Sequence, residues 1–299
     1  MGKYSKYSKH LPDIQEVKDT RNVEIDHVGV SGIKLPILLL EKEDGLAPRK
    51  IQRTVGTIGM YVHVPAERKG THMSRFTELL NRHTENQKTF SNRDLIPLAI
   101  EMLDYLDTDS SNIRINMDYF MYVKSPVTLI RGVAPYEAYL EVSAERQEGT
   151  NGKKGKPTVK VVTGVTVVGQ TCCPCSKEIS DFDKKTKKGR GAHSQHGTIR
   201  IAVRNDPRKI IWFEDLIDIG NRSLSAPAFP ILKRVDERAA TIMAYENPCF
   251  VEDVVRNAVT ALRKLDGVLH YTVTVQNDEV IHFHKAEAIC SDWVMPEHR

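Results

Sequence analysis

PTVKVVTGVTVVGQT, Pro157 to Thr171, runs straight into CCPCSKEIS, Cys172 to Ser180. β-Branched residues dominate the first segment, which is the composition of an extended strand. The second segment places three thiols at that strand's end. Upstream lies QEGTNGKKGK, Gln147 to Lys156, a polar stretch that reads either as a seam between two halves or as a hairpin tip. Before it, Ile113–Val127 and Tyr136–Ala144 are extended, as are His27–Leu40 and Val55–Val64 near the start. Two helices are predicted between these pairs. In one, capped by Ser74, Phe76, Leu79 and Leu80 recur at helical spacing. The other runs from Asp94 to Tyr105, with Pro97 in its first turn and Leu95, Leu98, Ala99, Met102 and Leu103 on one face.

Downstream the order repeats. Thr198–Val203 is extended and Trp212–Ile219 helical. From Pro248 to Leu265 an apolar stripe (Phe250, Val251, Val254, Val255, Ala258, Ala261, Leu262, Leu265) marks a longer helix that Gly267 stops. Val268–Ile289 reads as a β-hairpin turning at Gln276–Asp278. Strands, helices and strands, twice over, predict an α+β protein with helices on one face of antiparallel sheet. Residues 1–21 show little periodicity and read as a flexible arm. Residues 22–150 and 151–299 then form two modules.

Composition excludes several classes. With 43 Lys and Arg against 39 Asp and Glu, the 299-residue chain carries only +4 and has no polycationic character for nucleic acid. No apolar run reaches the roughly 18 residues a membrane helix needs. The polar N-terminus lacks the apolar core of a secretory signal. Five cysteines, three of them at positions 172, 173 and 175, fit a reducing cytoplasm and a site better than a disulfide framework. Lysines crowd Lys153, Lys154 and Lys156, and again Lys184, Lys185, Lys187, Lys188 and Arg190, as solvated loop tips do.

Cys-Pro-Cys has two readings, a pair of buried structural thiols or soft ligands for zinc and its first-row neighbours. No second pair is available to complete a four-thiolate site, so a metal here would need other ligand types. His193 in GRGAHSQHG and the pair His282 and His284 in IHFHKAEA offer imidazoles; alternate positions in a strand would set that pair on one sheet face. Glu237 sits in LKRVDERA, a charged run that alone reads as an exposed turn. Glu252 lies in the first turn of the Pro248 helix, where the dipole favours a carboxylate in any case. RKGTHMSRF, Arg68 to Phe76, puts Lys69, His72 and Arg75 at a helix N-terminus, an arrangement that attracts anions, though without P-loop spacing.

Taken in order, KGTHMSRF (69–76), CPCSKEIS (173–180), GAHSQ (191–195), LKRVDE (232–237), YENPCFVEDVVR (245–256) and IHFHKA (281–286) resemble the type IB GTP cyclohydrolase I family across nearly the whole chain. The resemblance implies a tunnelling fold with two tandem modules per chain and barrels formed between subunits of a homotetramer. It implies hydrolytic opening of the guanine ring of GTP to 7,8-dihydroneopterin triphosphate and formate, the entry to tetrahydrofolate biosynthesis. It also implies one divalent metal (Zn, Mn or Fe) on Cys173, His193, Glu237 and His282, with no organic cofactor. Glu252 would anchor guanine, His284 would move a proton, and Cys175 would lie within or beside the catalytic set. Lys69, His72 and Arg75 are the candidates for the phosphates. The chain departs from the family in inserting DFDKKTKKGR, 181–190, between the cysteine motif and GAHSQ. Three alternatives stay open: an archaeal-type relative yielding dihydroneopterin cyclic phosphate, a thiol-dependent nitrile reductase of the same fold, and a non-catalytic metal- or purine-binding protein.

Overall fold

A computed structural model describes residues 12–42, 51–85, 90–147, 155–182 and 191–295. Most of the Lys-rich stretches, Lys153 and Lys154 with Lys184 to Arg190, lie outside them. Long strands β1 (Ile25–Leu40) and β2 (Ile51–Val64) come first, then helices α1 (Met73–Thr84) and α2 (Asn92–Tyr105), then β3 (Ser110–Lys124) and β4 (Arg131–Glu145). The second half runs β5 (Thr158–Cys172), α3 (Pro174–Asp181), β6 (Ser194–Asn205), α4 (Phe213–Ser223), the two-residue β7 (Ala226–Pro227), α5 (Arg234–Glu246), α6 (Val251–Leu262), β8 (Val268–Asp278) and β9 (Lys285–Trp293).

All described strands join one antiparallel sheet in the order β1-β2-β3-β4-β5-β6-β8-β9, with β7 added against β5. β4 and β5, on either side of the stretch read as seam or hairpin tip, pair from Glu137↔Thr166 to Glu145↔Thr158, so both halves contribute to one sheet. Most of that stretch, residues 148–154, lies outside the described residues. Alternation along each strand sorts the two faces. Ile113 and Ile115 on β3, Val165 and Val167 on β5, Ile199 and Ile201 on β6 and Val273 and Val275 on β8 are all buried. Phe76, Leu79, Leu98 and Met102 from the first two helices, and Leu216, Val254, Ala258 and Leu262 from α4 and α6, close over that face. The intervening residues, among them Arg114, Thr166 and Arg200, line a polar recess on the other face.

Several element ends differ from expectation, each for a local reason. α1 starts one residue ahead of Ser74, with His72 as its N-cap. α2 begins at Asn92 because Ser91 and Asp94 form a capping box, which leaves Pro97 inside the helix instead of in its first turn. α6 starts at Val251 behind the Phe250 N-cap and ends at Leu262. β8 runs through Gln276–Asp278, and the turn falls at residues 279–284. Two helices, α3 and α5, were not foreseen. The second half of the N-terminal arm is laid down, not loose: Lys18 bridges to Arg68, Asp19 N donates to Glu67 O at 2.9 Å, and Lys69 N donates to Val17 O at 3.3 Å.

Side-chain hydrogen bonds also tie the halves together. Tyr119 of β3 donates to Glu214 of α4 at 2.6 Å, and burial together with that carboxylate pushes its hydroxyl pKa well up. The turn between β3 and β4 wraps around Asp236 of α5. That carboxylate is fully buried and accepts from Val127 N (2.9 Å), Thr128 N (2.8 Å), Thr128 Oγ1 (2.7 Å) and Lys233 N (2.9 Å). Burial alone would raise its pKa; the donors, Thr128 foremost, outweigh burial and hold it well below the carboxylate range.

Candidate metal and nucleotide site

β5 ends where the thiols begin. Cys173 is the N-cap of α3, its Sγ accepting from Ser176 N at 3.4 Å, and Pro174 fills the first helical position, where a missing N–H costs nothing. The start of β6 is bound to the same spot. Cys172 pairs with Ser194, Cys173 N donates to His193 O at 3.2 Å, and His193 N donates to Ser176 Oγ at 3.2 Å. Ser180 Oγ of α3 also donates to Gly191 O. Cys173 and His193 are thus brought side by side across the polar insertion that separates them in sequence. His193 Nδ1 is buried and has no hydrogen-bond partner.

The three clustered thiols occupy different surroundings. Cys172 is 2% exposed, and burial pushes its thiol pKa up, which keeps it neutral. Cys173 is half-buried and Cys175 exposed. Cys249, just ahead of α6, is buried and likewise raised by burial; its N–H donates to Cys172 O at 3.1 Å, which brings the helix carrying Glu252 to the end of β5. α5 is held there too. Lys177 of α3 donates to Tyr245 O at 2.7 Å and lies 4.3 Å from the centroid of that ring, whose hydroxyl donates to Asp181 at 2.6 Å.

Glu237 is exposed in the first turn of α5, beside the buried Asp236, and Glu252 is exposed in the first turn of α6. His282 and His284 are exposed in the 279–284 turn, not in a strand. They still face the same way: their rings stack with centroids 4.8 Å apart and planes at 15°. Among the described residues, no three of Cys173, His193, Glu237 and His282 bring their ligand atoms within 4.8 Å of one another in a single chain. The group that does so is Asp13, Glu16 and His72. His72 Nε2 lies 3.2 Å from Glu16 and 3.4 Å from Asp13, so this imidazole is already engaged by carboxylates at the mouth of α1. Lys69 is exposed nearby and Arg75 half-buried.

Sequence reading overlooked Gln195, Asp236 and Glu279. Gln195 is buried and donates through Nε2 to Glu279 Oε1 at 2.8 Å, across 84 positions of sequence. Only the capping-box position of Asp236 carried a local signal, and it was hidden in a charged run.

Comparison with known proteins places this geometry. The family model described as type I GTP cyclohydrolase folE2 matches residues 11–288. GTP cyclohydrolase FolE2 of Desulfosudis oleivorans is 39% identical over 280 residues, covering 93% of this chain and 96% of the relative. The FolE2 proteins of Syntrophobacter fumaroxidans and Dictyoglomus thermophilum are 37% and 38% identical, covering 92% and 95% of this chain and 97% and 99% of those proteins. Among solved structures, uricase from Arthrobacter globiformis superposes with a TM-score of 0.54 at 6% identity, over 90% of this chain and 93% of that one. A mutant urate oxidase from Bacillus sp. TB-90 gives 0.50 at 8%, over 90% and 100%. At such identities these two speak for the fold alone, and they fit the tunnelling fold. With nearly its whole length matched, the chain belongs to the type I GTP cyclohydrolase FolE2 family.

Proposed function

We propose that this chain is a type IB GTP cyclohydrolase I, which uses water to open the guanine imidazole ring of GTP and yields 7,8-dihydroneopterin triphosphate and formate at the entry to tetrahydrofolate biosynthesis in the cytoplasm. The family membership carries this reading. The juxtaposition of Cys173 and His193 at the end of β5 supports it locally. So do the two stacked histidines on an exposed turn and the arrival of α6, with Glu252, at Cys172.

The residues fit a divalent metal. His193 presents a buried nitrogen with nothing to bond, and a half-buried thiol capping a helix is the ligand type that pairs with imidazole for zinc, manganese or iron. Cys173, His193, Glu237 and His282 would hold it. A divalent ion bound there would supply the means of activating a water near neutral pH for attack on C8 of guanine. The protein's own groups do the rest. Glu252 accepts from guanine N1–H and the exocyclic amine together, which rejects adenine. His284 delivers a proton to the ring nitrogen as the C8–N bond opens, a task suited to an imidazole, which can both donate and accept. Cys175 is a further candidate for the catalytic set, and Lys69, His72 and Arg75 are the candidates to receive the triphosphate. Residues 22–150 and 151–299 act as tandem tunnelling-fold modules whose sheets close into barrels in a homotetramer.

Incubating the purified protein and GTP with Mn(II) or Zn(II) is expected to release formate and, after oxidation, a fluorescent pterin. No product with any divalent metal overturns the activity. A product mass matching the cyclic phosphate transfers it to the archaeal-type reaction, and consumption of NADPH without metal to nitrile reduction.

A further inference from the structure

The turn at 279–284 carries both histidines that the proposed function uses, yet its own side chains are exposed from Ile281 to His284, and Phe283 has no cover at all. A turn of this kind does not hold two imidazoles in a fixed place by packing. Among the described residues, the side-chain hydrogen bond that reaches it is the one from Gln195 Nε2 to Glu279 Oε1 at 2.8 Å. Gln195 is 6% exposed and lies two positions beyond His193 on β6, whose first pairings are with the end of β5. At the base of the turn, Asp278 meets only exposed partners, Lys285 at 2.8 Å and His196 at 3.6 Å. Such pairs contribute little.

The rest of the Gln195 amide is unusual. Its Oε1 is buried with no partner, as are Thr171 Oγ1 on the directly opposed residue and Asn277 Oδ1 near the end of β8. Folded proteins leave few such atoms without a protein or water partner. Here the carboxamide is turned so that its donor end, not its acceptor, faces the turn.

We infer that Gln195 is a positioning residue whose grip on Glu279 sets His282 and His284 relative to His193. This rests on the proposed cyclohydrolase reading, and it adds a residue to that machinery which itself touches neither metal nor substrate. The donor must be on residue 195 and the acceptor on residue 279, a polarity that can be inverted. Gln195→Glu faces one carboxylate with another and opens the clamp. Glu279→Gln alone keeps an acceptor oxygen for Gln195. The pair Gln195→Glu with Glu279→Gln rebuilds the same bond with its direction reversed.

Co(II) titration of the full chain, read by its ligand-field and thiolate bands, is expected to show affinity 10–100-fold weaker in Gln195→Glu, the range seen when a metal ligand loses its outer support. Glu279→Gln should stay within about 3-fold of wild type, and the double variant should recover most of the loss. Amide hydrogen exchange at residues 279–284 should rise in Gln195→Glu and fall back in the double variant, with or without metal, while the thermal transition stays cooperative in all. Unchanged exchange in Gln195→Glu, or a double variant no better than it, overturns the clamp. Were wild type to bind no Co(II) and release no formate, the cyclohydrolase reading would fall, and the exchange data would still decide whether Gln195 holds the turn.

Discussion

Cys173 follows directly on a strand, caps a helix and lies against His193, three roles that a single residue fills because β5 and β6 pair up to the last position before the thiol. Its neighbour Cys172 has the same chemistry and the opposite fate, turned into the core and raised by burial. Cys173→Ala is therefore expected to abolish metal retention and turnover together, whereas Cys172→Ala should leave metal stoichiometry intact; metal analysis of the purified variants reads both. His284→Ala should keep its metal and slow formate release about 10²–10⁴-fold, the range for a lost general acid. A normal rate would assign the proton to another group. Asp236 gives a pH signature. Its carboxyl pKa is depressed in the folded state, so its contribution is complete above the unfolded value of about 3.9 and drains away as pH falls below that. Asp236→Asn should flatten the stability–pH curve below about pH 4. An unchanged slope in acid denaturation would remove Asp236 from that account.

At the level of elements, the two helices missed in the sequence are the two short of apolar signal. α3 buries none of its residues among those described, and α5 buries only Asp236, Ala240 and Ala244. Both are fixed by ends, not faces: Cys173 and Pro174 start one, and the Asp236 box starts the other. The strongly striped α6 was legible, along with every long strand, because burial of one face imposes a period that can be counted. β7 was not. It is two residues long and exists because Gly169 lets Ala226 and Pro227 lie against β5; a Cβ on Gly169 would sit 2.6 Å from Ala226 O and 2.8 Å from Leu224 Cδ1. Gly169→Ala should cost roughly 1–3 kcal/mol in urea denaturation, as overpacking does. A loss near zero would show that β7 can retreat freely.

Across the whole molecule, the sheet ends in two open edges, β1 and β9, with Ile25, Ile289 and Trp293 well exposed on them. Open edges are normally paired or blunted. Closure with copies of the same chain would satisfy both edges, and sedimentation is expected to give a mass about four times the 33.8 kDa chain. A monomer would count against the intersubunit barrels. None of the described helices is long and apolar enough to cross a membrane.

The long strands, the apolar faces and the strongly striped helices could be read along the chain, because periodicity is a property of neighbours in sequence. Folding settled which of two adjacent cysteines meets His193, that the two halves share one unbroken sheet, and that Gln195 reaches Glu279. Those outcomes depend on strand register and on burial, which arise only when segments tens of residues apart compete for the same interior.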